Sequence, residues 1–264
     1  MFTIKEFVRP ATIEEAYDTL VAKRNNRIVG GTAFLRLGAK RINTAVDLSA
    51  LELDYVREED GYIAIGAMTT FRELEVNPLL VNNFNGIVAK AVSNVIGVQF
   101  RNIVTVGASV FSHYGFSDLI TALLALDTEV RLYQAGRMSL AEFLQKPREK
   151  DILTQVYIPL KPRQAAYQHM RKAASDFPLV NVAVSRLDER WLIAVGARPK
   201  KATIAHQACA LLAGGADCAD LDAVANTVTE ELVFGTNARA SAEYRQMVCR
   251  ALVKRAVTEV LQCK

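Results

Sequence analysis

The chain has 264 residues, 51% of them hydrophobic and 23% charged, with a formal net charge of +4. That length can bury a sizeable core, in one large domain or in two to three modest ones. No apolar run approaches the roughly 18 residues that a bilayer-spanning helix needs, and Lys5, Glu6 and Arg9 stand where a secretory signal would carry its apolar core, so no membrane span and no export by that route are expected, and a cytoplasmic chain is.

Thr12 and Glu15 have capping-box spacing, and Ile13, Ala16, Tyr17 and Leu20 continue one apolar face, so the chain is expected to open with a helix. Ile28 and Val29 read as the end of a short buried strand. Gly30, Gly31 and Thr32 then form a turn, and Ala33, Phe34, Leu35 and Leu37 look like the start of a helix. A further short strand falls in 44–51, closing a small first unit near residue 54.

Asp60-Gly61, with apolar runs on both sides, is a hairpin signal. Thr70 and Glu73 repeat the capping spacing ahead of a helix ending near Asn77-Pro78, and Ile87, Ala91 and Val95 with Val88 and Val92 make a one-sided helix. A glycine-punctuated stretch follows, of the kind that carries binding loops. Within it Ser117 and Asp118 start a helix over "LITALLAL" and "TEVRLY" is a strand. Ser139 and Glu142 start another helix, and "ILTQVYIP" (152–159) is a strand.

From about residue 163 the style changes to two β runs, "LVNVAVSRL" and "WLIAVGA", followed by helices. The last, 241–262, places Tyr244, Val248, Leu252, Ala256 and Val260 on one stripe, with Arg245, Arg250, Lys254 and Arg255 largely off it. The basic residues are scattered. "RPKK" (198–201) reads as a solvated face, or as a patch for an acidic partner, rather than as a nucleic-acid footprint. Cys209, Cys218, Cys249 and Cys263 form no C-x-x-C pair and have no His at ligand spacing, so ordinary thiols and no metal site are expected.

Two segments carry the functional question. In "RIVGGTAF" (27–34) the paired glycines either admit the close approach of an anionic, nucleotide-like ligand or simply make a tight turn. "TVGAS" (105–109), preceded by "QFRN", is open to the same two readings. Together, about 75 residues apart, the segments fit an extended ligand whose diphosphate is clamped by backbone N–H groups from both, as a cofactor as long as FAD requires. Neither matches G-x-G-x-x-G or the Walker pattern, which weakens Rossmann and P-loop readings.

The ordered set "VGGT", "IAIGAMTTFREL", "QFRN" with "TVGAS", "SDLITALLALDTEV", "ILTQVYIP" and "SAEYRQMVCRALVKRAV" resembles, over nearly the whole chain, the FAD-binding (medium) subunit of the molybdenum hydroxylases, the xanthine dehydrogenase and carbon monoxide dehydrogenase flavoprotein family. The resemblance implies an α+β fold: a two-part α/β FAD-binding domain (1–54 and 55–162) followed by a smaller α+β C-terminal domain (163–264). It implies that Arg27, Ile28, Val29, Gly30, Gly31, Thr32, Ala33 and Phe34 form a first pyrophosphate loop and Thr105, Val106, Gly107, Ala108 and Ser109 a second. Asp118 would lie near the ribose or adenine, Leu153 would line the flavin or adenine pocket, and Tyr167 would lie near the flavin.

The family usually shows T-I/V-G-G-N where this chain has Ala108 and Ser109, and Gln168 falls where relatives often carry a lysine near the flavin, so that lysine's role is not carried over. In the unusual "FSHYGF", His113 and Tyr114 either touch the cofactor or reflect a repositioned loop. The implied partners are a small subunit with 2Fe-2S clusters and a large molybdopterin subunit in a hetero-oligomer, with NAD+ as one acceptor. No catalytic acid, base or nucleophile is required of this chain.

Simpler roles stand beside these. Asp118 also stabilises a helix N-terminus. Arg101 and Asn102 fit an interface or a loop anchor as well as a cofactor contact. His169 and His206 lack triad partners, and Trp191 reads as core. The competing functions are a self-contained FAD oxidase and a flavin-free interaction subunit.

Overall fold

The computed structural model describes residues 2–213 and 220–262. Three sheets follow one another along the chain. The first, ordered β1-β3-β2 from Thr3–Val8, Arg41–Asp47 and Arg27–Val29, is parallel throughout. Its helix α1 (Ile13–Ala22) packs Ala16 and Leu20 against Val46, Leu48 and Ile152. Half of the expected capping box forms: Thr12 Oγ1 accepts from Glu15 N at 3.2 Å, while the Glu15 carboxylate accepts from Ala11 N at 3.0 Å, one residue ahead of the cap.

Two expectations for this unit fail. The chain opens with a strand, β1, rather than a helix. Its residues carry no burial signature, with Ile4 38% and Phe7 58% exposed on opposite faces. And no α-helix follows the glycine turn: only one 3-10 turn, Leu35–Leu37, fits before β3 begins at Arg41, and Leu37 is 82% exposed.

The second sheet is antiparallel, ordered β4-β5-β8-β6-β7 from Val56–Glu59, Tyr62–Gly66, Leu153–Pro159, Glu129–Leu132 and Gly136–Ser139. The Asp60-Gly61 turn has positive φ at both residues (48° and 78°), the geometry of the favoured hairpin turn. Short helices cover one face: α2 (Phe71–Val76), α3 (Pro78–Val81), α4 (Ile87–Ser93), α5 (Val98–Arg101), α6 (Val106–Phe111), α7 (Asp118–Leu124) and α8 (Leu140–Gln145). Thr70, Ser117 and Ser139 cap α2, α7 and α8 through their hydroxyls.

The third sheet is ordered β12-β11-β10-β9, from Thr203–Ile204, Arg190–Gly196, Val180–Leu187 and Gln164–Met170. Helices α9 (His206–Ala213), α10 (Leu221–Glu231) and α11 (Ala242–Gln262) bury one of its faces around Val182, Val184, Ile193 and Trp191. The other face, with Ala183 and Ala194, lies on α7. Burial on both faces explains the near-continuous apolar runs of β10 and β11.

Two charged residues sit where the patterns did not place them. Arg245 is 2% exposed, and its guanidinium donates to the carbonyls of Leu179 and Ala197 (2.8 Å for the latter) and to Asn237 Oδ1 (2.8 Å). Arg198, expected on a solvated face, is buried and donates to the carbonyls of Val195, Val233 and Lys201. Cys209 and Cys249 are buried free thiols, pushed up by burial to about 11 and about 12, and therefore unreactive. Cys218 and Cys263 lie outside the described residues. Among the described residues no cluster of His, Cys, Asp or Glu could hold a metal ion, and no helix is long and apolar enough to cross a membrane.

Candidate functional site

The first glycine segment leaves the sheet from β2, whose Ile28 and Val29 register with Val46 and Asp47 of β3. Its glycines are dictated by contact with the second segment. A Cβ on Gly31 would lie 1.3 Å from the carbonyl oxygen of Ile103, and one on Gly30 would lie 2.7 Å from Thr105 Oγ1. The left-handed residue of the turn is Thr32, at φ 55°, a conformation that costs a β-branched residue about 1–2 kcal/mol and persists where the surroundings enforce it. Among the described residues, nothing in the protein accepts a hydrogen bond from the N–H groups of Gly31, Thr32, Ala33 or Phe34.

The second segment differs. Thr105 caps α6, accepting from Ala108 N at 3.3 Å. The N–H groups of Val106 and Gly107 donate inward to the carbonyls of Thr69 (2.9 Å) and Ala67 (2.8 Å), and that of Ser109 donates to the Thr105 carbonyl. Among the described residues the second segment keeps only the Thr105 N–H without a protein acceptor, so most of the free donors lie on the first segment and the second is largely a wall.

Between them lies a cavity of about 710 Å³, within the roughly 300–1,000 Å³ of small-molecule sites. All of Arg27, Ile28, Val29, Gly30, Gly31, Thr32, Ala33 and Phe34 line it, with Thr105, Gly107, Ala108, Ser109 and Leu153. Val106 turns into the core at 1% exposure. Cations outnumber anions on the lining: Arg24, Arg27, Lys40, Arg148 and Lys150 against Glu149 and Asp151. The Asp151 carboxylate is taken up by the N–H groups of Gln134, Ala135 and Ile152 at 2.7–3.0 Å. Lys150 bonds the Leu20 carbonyl at 2.8 Å, and its pKa is lowered first by burial and then by Arg27. Free backbone donors, excess positive charge and an apolar floor suit an extended anion with flat rings, which is what FAD is.

Asp118 and Tyr167 lie outside this cavity, joined to each other. The Tyr167 hydroxyl donates to the Asp118 carboxylate, and Arg171 Nη2 donates to the same oxygen at 2.6 Å, both side chains of this ion pair being at least 94% buried. Burial, then the Asp118 charge, pushes the Tyr167 hydroxyl well above its ordinary range. Arg101 is an anchor: it forms a two-bond pair with Glu75, at 2.9 and 3.0 Å. Of the "FSHYGF" residues, Phe111, Ser112 and Tyr114 line the cavity. His113 does not; it is buried against Phe143, with ring centroids 4.5 Å apart.

A ring cluster that the sequence patterns did not assemble joins these parts. Phe34 lies 4.8 Å from Tyr114, 5.5 Å from Phe116 and 6.0 Å from Phe177, and Phe116 lies 4.5 Å from Phe177. The aromatic density of 111–116 was its only local signal.

The family described as "FAD binding domain in molybdopterin dehydrogenase" matches residues 2–161, and "CO dehydrogenase flavoprotein C-terminal domain" matches 165–260. The nicotine 6-hydroxylase medium subunit of Paenarthrobacter nicotinovorans is 26% identical over 272 residues, 96% of each chain. The xanthine dehydrogenase FAD-binding subunit of Escherichia coli O157:H7 is 23% identical over 292 residues, 99% of this chain and 97% of that one. A solved structure of carbon monoxide dehydrogenase from Hydrogenophaga pseudoflava superposes with a TM-score of 0.89 at 20% identity, covering 99% of this chain and 98% of that one, a likeness of fold. With more than half its length matched and a cavity suited to the cofactor, the chain belongs to the FAD-binding medium-subunit family of the molybdenum hydroxylases, and FAD is its cofactor.

Proposed function

We propose that this chain is the electron-transfer subunit of a cytoplasmic, hetero-oligomeric molybdenum hydroxylase or dehydrogenase of the xanthine dehydrogenase type. Its partners are a small subunit with 2Fe-2S clusters, the electron source, and a large molybdopterin subunit where substrate is oxidised; the acceptor is NAD+ or a similar species. Bound FAD supplies the ability to take electrons singly and release them in pairs.

The chain's own residues bind and orient it, in three units spanning 1–54, 55–162 and 163–264. The observation that carries this reading is the set of N–H groups at Gly31, Thr32, Ala33 and Phe34, without an acceptor among the described residues, on the wall of a cation-rich cavity. Residues 27–34 hold the diphosphate, with Thr105, Gly107, Ala108, Ser109 and Leu153 as the opposing wall. Val106 packs in the core behind that wall, and Asp118 on the ribose or adenine side and Tyr167 on the flavin side, joined to each other, flank the site. The names of the relatives as medium or FAD-binding subunits support a multi-chain assembly.

The test is the visible spectrum of the purified chain, with identification of what it releases on denaturation. A yellow chain that releases FAD, reduced only when partner subunits and substrate are present and reoxidised by NAD+, is the expected result. A colourless chain that takes up no added FAD overturns the reading and favours a flavin-free interaction subunit.

A further inference from the structure

In the first glycine segment the N–H groups of Gly31, Thr32, Ala33 and Phe34 have no protein acceptor among the described residues, and Thr32 holds a strained backbone. The Phe34 side chain packs on three rings, and one of these, Phe177, comes from the C-terminal domain. The Phe177 loop is in turn held at its start by Arg171, whose Nη1 donates to the Asp176 carbonyl at 2.5 Å, and on its other side by Arg239. Arg239 Nη2 donates to Asp176 Oδ2 at 2.7 Å and to the Phe177 carbonyl, and its guanidinium carbon lies 5.8 Å from the Phe177 ring centroid. Arg239 is itself fixed, because its N–H donates to Asn237 Oδ1 at 2.9 Å and the same oxygen is clamped by the buried Arg245. The bonds form a continuous series from α11 through Asn237, Arg239 and Phe177 to Phe34 on the cavity wall.

We propose that Arg239 is a positioning residue, a latch that holds the 176–177 loop against Phe34 and so lets the C-terminal domain set how firmly the first glycine segment closes on its ligand. The inference rests on the FAD reading above. An exposed ion pair alone contributes little. Here the same guanidinium holds a carboxylate, a carbonyl and a ring at once, and what it restrains is a loop with an exposed flank at Lys172, Ala173, Ala174 and Ser175.

Two measurements separate the latch from the reading beneath it. In the cofactor-free chain, trypsin cleavage after Lys172, located by mass, is expected to quicken about tenfold in Arg239→Met and to return most of the way in Arg239→Lys. In the loaded chain, FAD release followed by flavin fluorescence is expected to quicken about tenfold in Arg239→Met and in Phe177→Ala, and to stay unchanged in Arg186→Met, which loses another exposed pair of the same domain. Unchanged cleavage overturns the latch. Faster cleavage with unchanged FAD release also overturns it, leaving Arg239 a structural contact only. If the wild-type chain takes up no FAD, the cofactor reading falls, and the cleavage rates alone decide whether the loop is latched.

Discussion

His113 shows what one residue's surroundings do to stability. Its ring is 6% exposed, neither nitrogen has a hydrogen-bond partner among the described residues, and its pKa is lowered to about 4 by burial first and then by Lys201 and Arg148. The ring is therefore neutral in the folded chain at pH 5, whereas in the unfolded chain it takes up a proton below about pH 6.5. Unfolding then binds a proton, so the stabilisation is complete above pH 6.5 and is lost as pH falls toward 4. The chain is expected to lose about 2 kcal/mol from this group between pH 7.5 and pH 5. Urea denaturation of the wild type and of His113→Leu at both values checks it, the variant showing a pH dependence smaller by that amount.

At the scale of elements, the interlock of the two glycine segments is the sensitive feature. Gly31→Ala would drive a methyl group into the Ile103 carbonyl, and separating the segments is expected to cost about 3 kcal/mol and to abolish FAD retention; the melting temperature and the flavin-to-protein ratio check this. Helix starts at Thr12, Thr70, Ser117 and Ser139 were legible because capping is a contact between residues three apart. The Asp60-Gly61 hairpin was legible for the same local reason. Strand β1 was not, because neither of its faces is buried, and the helix expected after Gly31 failed because β3 begins too soon. The same limit applies to the site. Its two segments stand out in the sequence, but the reason for the glycines does not, since Ile103 is more than 70 residues from Gly31. Nor does any pattern reveal that Arg245 lies inward, because its partners are the distant carbonyls of Leu179 and Ala197.

Across the whole molecule, charge is nearly balanced at +4, yet the cavity lining concentrates cations. The attraction between that lining and a diphosphate weakens with ionic strength where the mouth is open to solvent. FAD affinity is accordingly expected to fall several-fold between low and high salt, and Lys150→Met is expected to lower both the affinity and its salt dependence, as a fluorescence titration at two salt concentrations would show.

The pairing of β5 with β8 brings residue 65 against residue 156, and Leu153, at the start of β8, is part of the cavity. A ribosome must therefore have released more than half the chain before the pocket exists, and each contact that closes it spans a long loop, which slows folding. The cofactor meets a nearly finished protein and shifts its folding equilibrium by mass action. The supply of FAD in the cell thus becomes a determinant of how much of this chain survives proteolysis.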